Sequence, residues 1–125
     1  MIDMLLRRIV VTLPQFAYRF ADEKALHDGI AKVLDYAGIA HQREFVASKQ
    51  DRFDFLCDGG IVIEAKVHGS ISPALQQCAR YAKLDSVSAV VLATSRFWGR
   101  MPALKADAAF SGKPIRMIQV RGQSF

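Results

Sequence analysis

The chain has 125 residues, 51% of them hydrophobic, and a formal net charge of +5. This length predicts one domain spanning residues 1–125, and the hydrophobic content excludes an intrinsically disordered chain. The basic excess favours a polyanionic partner, because Lys and Arg neutralise phosphates.

Cys57 and Cys78 lack metal-ligand spacing and are interpreted as small core residues of a protein in a reducing compartment. The apolar segment Met1 to Leu13 is too short to span a membrane and lacks a signal-peptide layout, so we expect a cytoplasmic protein.

The first part of the chain predicts a strand followed by a helix. Ile9 to Phe20 is interpreted as an extended β segment. Asp22 is the expected N-cap of a helix that runs to about Ala37 and stops at Gly38. Glu23 is spaced to project from the inner face of this helix, although a glutamate that only favours the helix dipole is an alternative. The predicted buried stripe consists of Leu26, Ile30, Val33, Leu34 and Ala37.

Two short apolar runs separated by a turn predict a β-hairpin. The runs are Arg52 to Cys57 and Ile61 to Val67, and Asp58-Gly59-Gly60 lies between them. Three-residue hairpin loops favour glycine in the left-handed conformation. Such a loop would pair Cys57 with Ile61.

This register brings charged side chains together within an apolar hairpin. It sets Asp54 across from Glu64 and Arg52 across from Lys66, whereas a two-residue loop would put the two acids on opposite faces. Strand alternation puts Glu64 and Lys66 on the face of Val62. The same alternation sets Asp54, Arg52 and Leu56 on one face of the first strand, opposite Phe53, Phe55 and Cys57.

The three charges Asp54, Glu64 and Lys66 indicate a metal site for phosphodiester cleavage. Buried charge is costly unless it is paired or coordinates a metal. An acid-x-Lys triplet alone is weak, since Asp22-Glu23-Lys24 is another, and the discriminating features are the apolar β flanks, the turn and the paired Asp. The alternative is that Glu64 and Lys66 lie on the solvated face of an edge strand.

The remaining elements complete an α/β domain around a mixed sheet. Ser72 and Pro73 are the expected N-cap and first residue of a second helix. Its predicted core stripe is Leu75, Cys78, Ala79 and Ala82. Further strands are expected at His41 to Val46, Ser86 to Thr94 and Lys113 to Arg121, with a short helix at Met101 to Phe110.

Several polar residues are candidates for contacts with nucleic acid. Gln77 and Tyr81 are four residues apart and share a flank of the second helix, where they would contact a phosphate or form an ordinary polar stripe. Arg96 and Arg100 flank Trp98 after a strand end, an arrangement that suits base stacking or a packed loop equally well.

With these residues in place, the chain resembles the PD-(D/E)XK nuclease superfamily over Glu23 to about Thr94. Asp54, Glu64 and Lys66 match the Asp, the acidic position and the lysine of the motif. Phe53 stands where the motif has proline, a residue often absent from members. The size of the chain looks like that of stand-alone phage nucleases of the VRR-NUC or Holliday-junction-resolvase kind. The resemblance implies a restriction-endonuclease-like mixed sheet flanked by helices.

The resemblance also extends to the two helices. Glu23 matches the glutamate that many members carry on the first core helix, and Gln77 with Tyr81 resembles a Gln-x-x-x-Tyr signature of one branch. Glu23 would hold an outer-shell water or a second ion.

The chemistry of phosphodiester hydrolysis suggests roles for the strand residues. Mg²⁺, with Mn²⁺ as a substitute, prefers oxygen ligands, which Asp54, Glu64 and the Ala65 carbonyl would supply. Lys66 would orient the attacking water or stabilise charge in the transition state, and its alternative role is a salt bridge to one of the acids.

We therefore expect a Mg²⁺-dependent endodeoxyribonuclease, with branched or junction DNA as one candidate substrate. The alternative is a non-catalytic DNA-binding or assembly protein on a nuclease-like fold. A homodimer is expected because cutting both strands symmetrically needs two sites. The predicted interface is Ile9 to Phe20, which carries Phe16, Tyr18 and Phe20 at alternate positions. The alternative is that these aromatic residues cover the domain's own sheet.

Overall fold

The protein is described here by a computed structural model of residues 2–19, 22–95 and 112–122. The helices are α1 (Ile2–Thr12), α2 (Glu23–Tyr36) and α3 (Ile71–Ala82). The strands are β1 (Ala17–Tyr18), β2 (His41–Val46), β3 (Arg52–Cys57), β4 (Ile61–Lys66), β5 (Ala89–Thr94), β6 (Ile115–Gln119) and β7 (Arg121–Gly122).

The centre of the fold is a five-stranded mixed sheet with the strand order β2-β3-β4-β5-β6. Strands β2, β3 and β4 pair antiparallel, and β4, β5 and β6 pair parallel. A separate two-stranded parallel pair is formed by β1 and β7. The predicted α/β class with a mixed sheet flanked by helices is confirmed.

Apolar side chains cover both faces of the sheet. The α2 face includes Ile61, Ile63 and Ala65 of β4, which belong to the same buried cluster as side chains of α1 and α2. The α3 face includes Val62 of β4 and Leu92 of β5, which belong to a second cluster with side chains of α3. Strand β4 alternates between the two clusters as predicted, because successive side chains point to opposite faces.

The first segment is helical, so the predicted strand from Ile9 to Phe20 is wrong. Helix α1 runs to Thr12, a 3-10 turn follows at Leu13–Gln15, and only Ala17–Tyr18 forms a strand. The run of β-branched residues from Ile9 to Thr12 suggested a strand. Burial of Leu6, Ile9 and Leu13 against the α2 face decided for a helix, because their three- and four-residue spacing gives one apolar stripe.

This correction removes the extended segment on which the predicted dimer interface was based. Tyr18 is buried in the chain's own core, and Phe16 packs against that core. The alternative expectation, that the aromatic residues cover the domain's own sheet, fits these two residues. Phe20 lies outside the described residues, as does the predicted helix from Met101 to Phe110.

Helix α2 and the β3–β4 hairpin follow the sequence predictions closely. The Asp22 carboxylate accepts a hydrogen bond of 2.8 Å from the Ala25 N–H at the start of α2, which confirms the N-cap. Gly38 follows the helix with a φ of 72°. Cys57 pairs with Ile61 across the turn, as expected for the three-residue loop.

Helix α3 begins two residues earlier than predicted, and the face that it buries differs in part from the predicted stripe. Its N-cap is Ser70 and not Ser72, so Pro73 lies within the first turn, where its missing N–H costs no helical hydrogen bond. Burial falls on Ala74, Cys78, Tyr81 and Ala82, whereas Leu75 and Ala79 are only partly buried.

Cys57 and Cys78 are buried and unpaired, as their interpretation as core residues predicted. Among the described residues, no helix is long and apolar enough to cross a membrane.

Candidate metal and phosphodiester site

The sheet is interrupted at Asp54. The pairing of β3 with β4 covers Phe55 to Cys57 and stops before Asp54, and the pairing of β2 with β3 skips the facing residues Glu44 and Asp54. At this point side-chain carboxylates, in place of backbone carbonyls, accept the hydrogen bonds of the backbone amides. The Asp54 N–H donates to Glu64 Oε1 at 3.0 Å, and the Ala65 N–H donates to Asp54 Oδ2 at 2.8 Å.

The interruption also changes which way the neighbouring side chains point. Phe55 belongs to the cluster on the α2 face, as alternation predicts, but Phe53 lies in the cluster on the α3 face. The predicted shared face of these two phenylalanines is therefore wrong. The facing strand has its own distortion, because Glu44 has a φ of 53°, a left-handed conformation that non-glycine residues seldom adopt. Alternation holds only where strands are regular.

The two predicted acids are neighbours, and Glu64 is almost fully enclosed. Its residue is 2% exposed. Burial, and then the nearby Asp54, raise the pKa of Glu64 to about 8. Burial disfavours the charged form of a carboxyl, and a second carboxylate disfavours it further. Such a pair is stabilised by a shared proton or by a cation, which makes this oxygen-rich pair suitable for a hard metal ion.

The third predicted ligand is the carbonyl of Ala65. In a regular strand the N–H and the C=O of one residue point towards the same neighbouring strand. Since the Ala65 N–H bonds to Asp54 of β3, the Ala65 carbonyl is expected to face β3 as well. The adjacent Lys66 carbonyl faces the other way and accepts from the Ser95 N–H at 3.3 Å.

Lys66 lines a cleft on the α3 side of the sheet. The cleft has a volume of about 410 Å³ and is lined by Lys66 together with residues of the β4–α3 connection and of α3, among them Gln77. The structure thus brings two residues predicted from separate motifs to one cleft. The predicted pairing of Arg52 with Lys66 is absent from the β3–β4 ladder, and Arg52 instead contacts Glu44 at 3.1 Å.

Glu23 reaches the end of β4 from the first turn of α2. Its Oε2 accepts a long hydrogen bond of 3.4 Å from the Val67 N–H. The side chain is partly buried and points inward, as its spacing predicted. Glu23 therefore lies beside the strand that carries Glu64 and Lys66.

The sequence reasoning did not select His27 and Glu44 for the site. The buried His27 places Nε2 3.2 Å from Asp54 Oδ2 and Nδ1 3.5 Å from Glu44 Oε2. The Asp54 contact is close but lacks the alignment of a regular hydrogen bond. This contact raises the pKa of His27 and outweighs burial, which lowers it. His27 lies one turn after Glu23 on α2, and this spacing does not identify Asp54 as its partner.

His27, Glu44 and Asp54 each present a ligand atom, and these atoms lie within 4.8 Å of one another. The two carboxylates contact different nitrogens of the ring. This arrangement suits an imidazolium held between two acids.

Tyr81 lies in the core and offers almost no surface to a nucleic acid. Its residue is 1% exposed, and its ring packs edge-on against Phe53 with centroids 4.8 Å apart. The hydroxyl donates to the Arg52 carbonyl at 2.8 Å and accepts from Gln77 Nε2 at 2.8 Å. The two members of the Gln-x-x-x-Tyr pattern are thus in contact, but Tyr81 positions Gln77 instead of facing the cleft. Arg96, Trp98 and Arg100 lie outside the described residues.

No family model, curated protein or solved structure matches the chain.

Proposed function

We propose that the chain is a Mg²⁺-dependent endodeoxyribonuclease with a restriction-endonuclease-like fold. The observation that carries this proposal is that the Glu64 carboxylate accepts from the Asp54 N–H and the Asp54 carboxylate accepts from the Ala65 N–H, with Lys66 two residues after Glu64 on β4. Helices on both faces of a mixed sheet, with this acid pair on its central hairpin, support the PD-(D/E)XK resemblance.

The donor set suits Mg²⁺. Asp54, Glu64 and the Ala65 carbonyl would hold the ion, because hard divalent cations prefer oxygen ligands and keep several waters. When bound, the ion would supply an activated water and stabilise charge that builds on the phosphate. Backbone amides fix both carboxylates, so the ligands are oriented before any ion arrives.

The chain's own residues would do the remaining work. Lys66 would stabilise negative charge in the transition state from the cleft side, because an ammonium is effective in a partly desolvated position. Glu23 would orient a water at the end of β4. Gln77, held by the Tyr81 hydroxyl, would contact a phosphate oxygen of the substrate.

The test is an assay with Mg²⁺ on linear, nicked, flap and four-way DNA substrates, with RNA and single-stranded DNA alongside. We expect Mg²⁺-dependent cuts inside DNA, lost with EDTA and restored by Mn²⁺. The panel also identifies the preferred substrate. Absence of cleavage on every substrate, from folded protein that still binds DNA, would favour the second candidate function.

That second candidate is a DNA-binding or assembly protein without catalytic activity. The observation in its favour is that Asp54 Oδ2 already accepts from Ala65 N–H and contacts His27. A ligand oxygen that is fully engaged by the protein would bind metal weakly. Calorimetric titration with Mn²⁺ separates the candidates, because the nuclease requires a site that Asp54→Asn removes.

A homodimer remains a prediction for the nuclease, now without the interface first assigned to it. The N-terminal segment folds against its own sheet, so no residue of that segment is proposed as a dimer contact. Light scattering of an active preparation at micromolar concentration measures the assembly directly.

A further inference from the structure

The cleft beside Lys66 has a one-sided charge distribution. It is lined by Lys66, His68, Gly69, Ser70, Pro73, Ala74, Gln76, Gln77 and Arg80. None of these lining residues is acidic, and Asp54 and Glu64 are not among them. Two fixed cations and two amide side chains therefore face a cavity of about 410 Å³, a composition that suits a chain of phosphates.

Arg80 is held in place by a side chain from another part of the fold. Its Nε donates to Asp51 Oδ1 at 2.9 Å. Asp51 belongs to the β2–β3 connection and is buried, and its Oδ2 accepts from Ser48 Oγ at 3.0 Å. The Asp51 carbonyl also accepts from the Ala47 and Ser48 N–H groups, so the carboxylate is fixed by a tight turn.

The contact with Asp51 uses only one edge of the guanidinium group. The Arg80 side chain is 54% exposed, and its terminal nitrogens donate no hydrogen bond to any described residue. Guanidinium groups bind phosphate through two parallel N–H donors. Arg80 is therefore oriented on its Nε side and open on the side that a bidentate phosphate contact needs.

The position of Arg80 relates it to the candidate site. Gln77 and Arg80 are three residues apart on α3 and so are neighbours on its surface. Lys66 lines the same cleft from the end of β4. The donors of Lys66, Gln77 and Arg80 thus share one cavity.

We propose that Arg80, positioned by Asp51, binds a backbone phosphate of the nucleic acid next to the one that is cleaved. Arg80 makes the contact, and Asp51 is a positioning residue that acts through Arg80. The identity of the polyanion rests on the proposed function, whereas the contact itself is measured by binding without cleavage.

The test is DNA binding by fluorescence anisotropy in EDTA, repeated over a range of salt concentrations. Arg80→Ala should weaken binding about tenfold and reduce the salt dependence by close to one phosphate contact. The matched control is Lys83→Ala, which removes the same charge from the exposed end of α3 outside the cleft. An effect of Lys83→Ala equal to that of Arg80→Ala would reduce the cleft contact to general charge attraction and overturn the proposal.

A second variant separates orientation from charge. Asp51→Ala makes the protein more positive, so simple electrostatics predicts tighter DNA binding. The proposal predicts weaker binding, because Arg80 keeps its charge but loses the acceptor that aligns it. Asp85→Ala, an equal charge change at an exposed position, should leave binding unchanged or slightly tighter. Tighter binding by Asp51→Ala, matching Asp85→Ala, would refute the positioning role.

Folding and function are controlled separately. Arg80→Lys keeps the charge beside the buried Asp51 and loses the fork, so it should also weaken binding while the thermal unfolding midpoint stays near that of the parent. A protein that binds DNA through Arg80 but never cuts would retain this inference and lose the proposed activity. A protein that cuts while Arg80→Ala and Arg80→Lys bind like the parent would retain the activity and lose this inference.

Discussion

The two ends of the β3–β4 hairpin are built from the same strands but are held together differently. Near the turn, Cys57 pairs with Ile61 and the backbone ladder is regular. At the other end, the ladder stops, and the carboxylates of Asp54 and Glu64 accept the hydrogen bonds of the backbone amides. A backbone bond fixes only the chain, whereas a carboxylate bonded to an amide fixes a reactive group. The end away from the turn, called the open end, therefore holds two carboxylates in fixed orientations. The end at the turn, called the closed end, is held by backbone hydrogen bonds.

The largest effect should come from Asp54→Asn at the open end. We expect Mg²⁺-dependent cleavage to fall at least about 1,000-fold, because the variant removes a proposed metal ligand, and a bound metal supplies several kcal/mol of transition-state stabilisation. Asp58→Asn makes the same chemical change in the turn at the closed end and should cleave at the parental rate. Initial cleavage rates and Mn²⁺ calorimetry of both variants give the comparison. Equal metal affinity of Asp54→Asn and the parent would remove Asp54 from the metal site.

Glu64 should make the open end sensitive to pH in metal-free protein. Its folded pKa, about 8, is raised above the ordinary value of 4.5, so the folded protein binds this proton more tightly than the unfolded chain does. The free energy of unfolding should therefore fall as pH rises from about 4.5 to 8, by a few kcal/mol at about 1.4 kcal/mol per pKa unit.

Glu64→Gln keeps an acceptor for the Asp54 N–H and cannot ionise, so its stability should change less over the same range. Urea unfolding in EDTA between pH 5 and pH 9 measures both proteins. Asp58→Asn serves as the control and should keep the parental pH dependence. Parallel curves for the parent and Glu64→Gln would show that Glu64 does not titrate in this window.

Lys66→Ala should lower cleavage by about 100-fold, the size typical of removing one donor to a transition-state charge. Metal affinity should be retained or slightly increased, because a cation near the acid pair has been removed. Lys32→Ala, on an exposed position of α2 away from the cleft, is the control for net charge. A parental cleavage rate for Lys66→Ala in Mg²⁺ would exclude Lys66 from the reaction.

The closed end should respond in stability and not in activity. Gly60 has a φ of +80°, and an added Cβ would clash with the Ser86 carbonyl oxygen. Gly60→Ala should cost about 2 kcal/mol of unfolding free energy, from backbone strain and displaced backbone together. Gly38→Ala has a similar positive φ of +72° with open space around the Cβ, so it should cost about 1 kcal/mol.

Denaturant unfolding of Gly60→Ala and Gly38→Ala measures this difference, and cleavage per folded molecule should match the parent in both. Loss of activity in folded Gly60→Ala would show that the two ends of the hairpin are coupled.

The sequence predicted elements well where a short stretch carries its own signal. Asp22 has the chemistry of an N-cap, and Gly59-Gly60 has that of a three-residue turn, so α2 and the hairpin register were predictable. The early helix α1 was missed because Ile9 to Thr12 is β-branched, while the stripe that favours a helix depends on burial against a distant sheet. Ser72-Pro73 likewise resembled a helix start, although α3 already begins at Ile71, directly after its N-cap Ser70.

The candidate site divides in the same way. The sequence by itself determined that Asp54 and Glu64 are neighbours, because the length of the turn, a local property, sets the register of the hairpin. Only the tertiary structure decided that His27 contacts Asp54, that Asp51 holds Arg80, and that Phe53 turns to the face opposite Phe55. These contacts join residues far apart in the chain or depend on a distortion in a neighbouring strand. No repeat or residue spacing in the sequence predicts these contacts, because they depend on how the helices pack on the sheet.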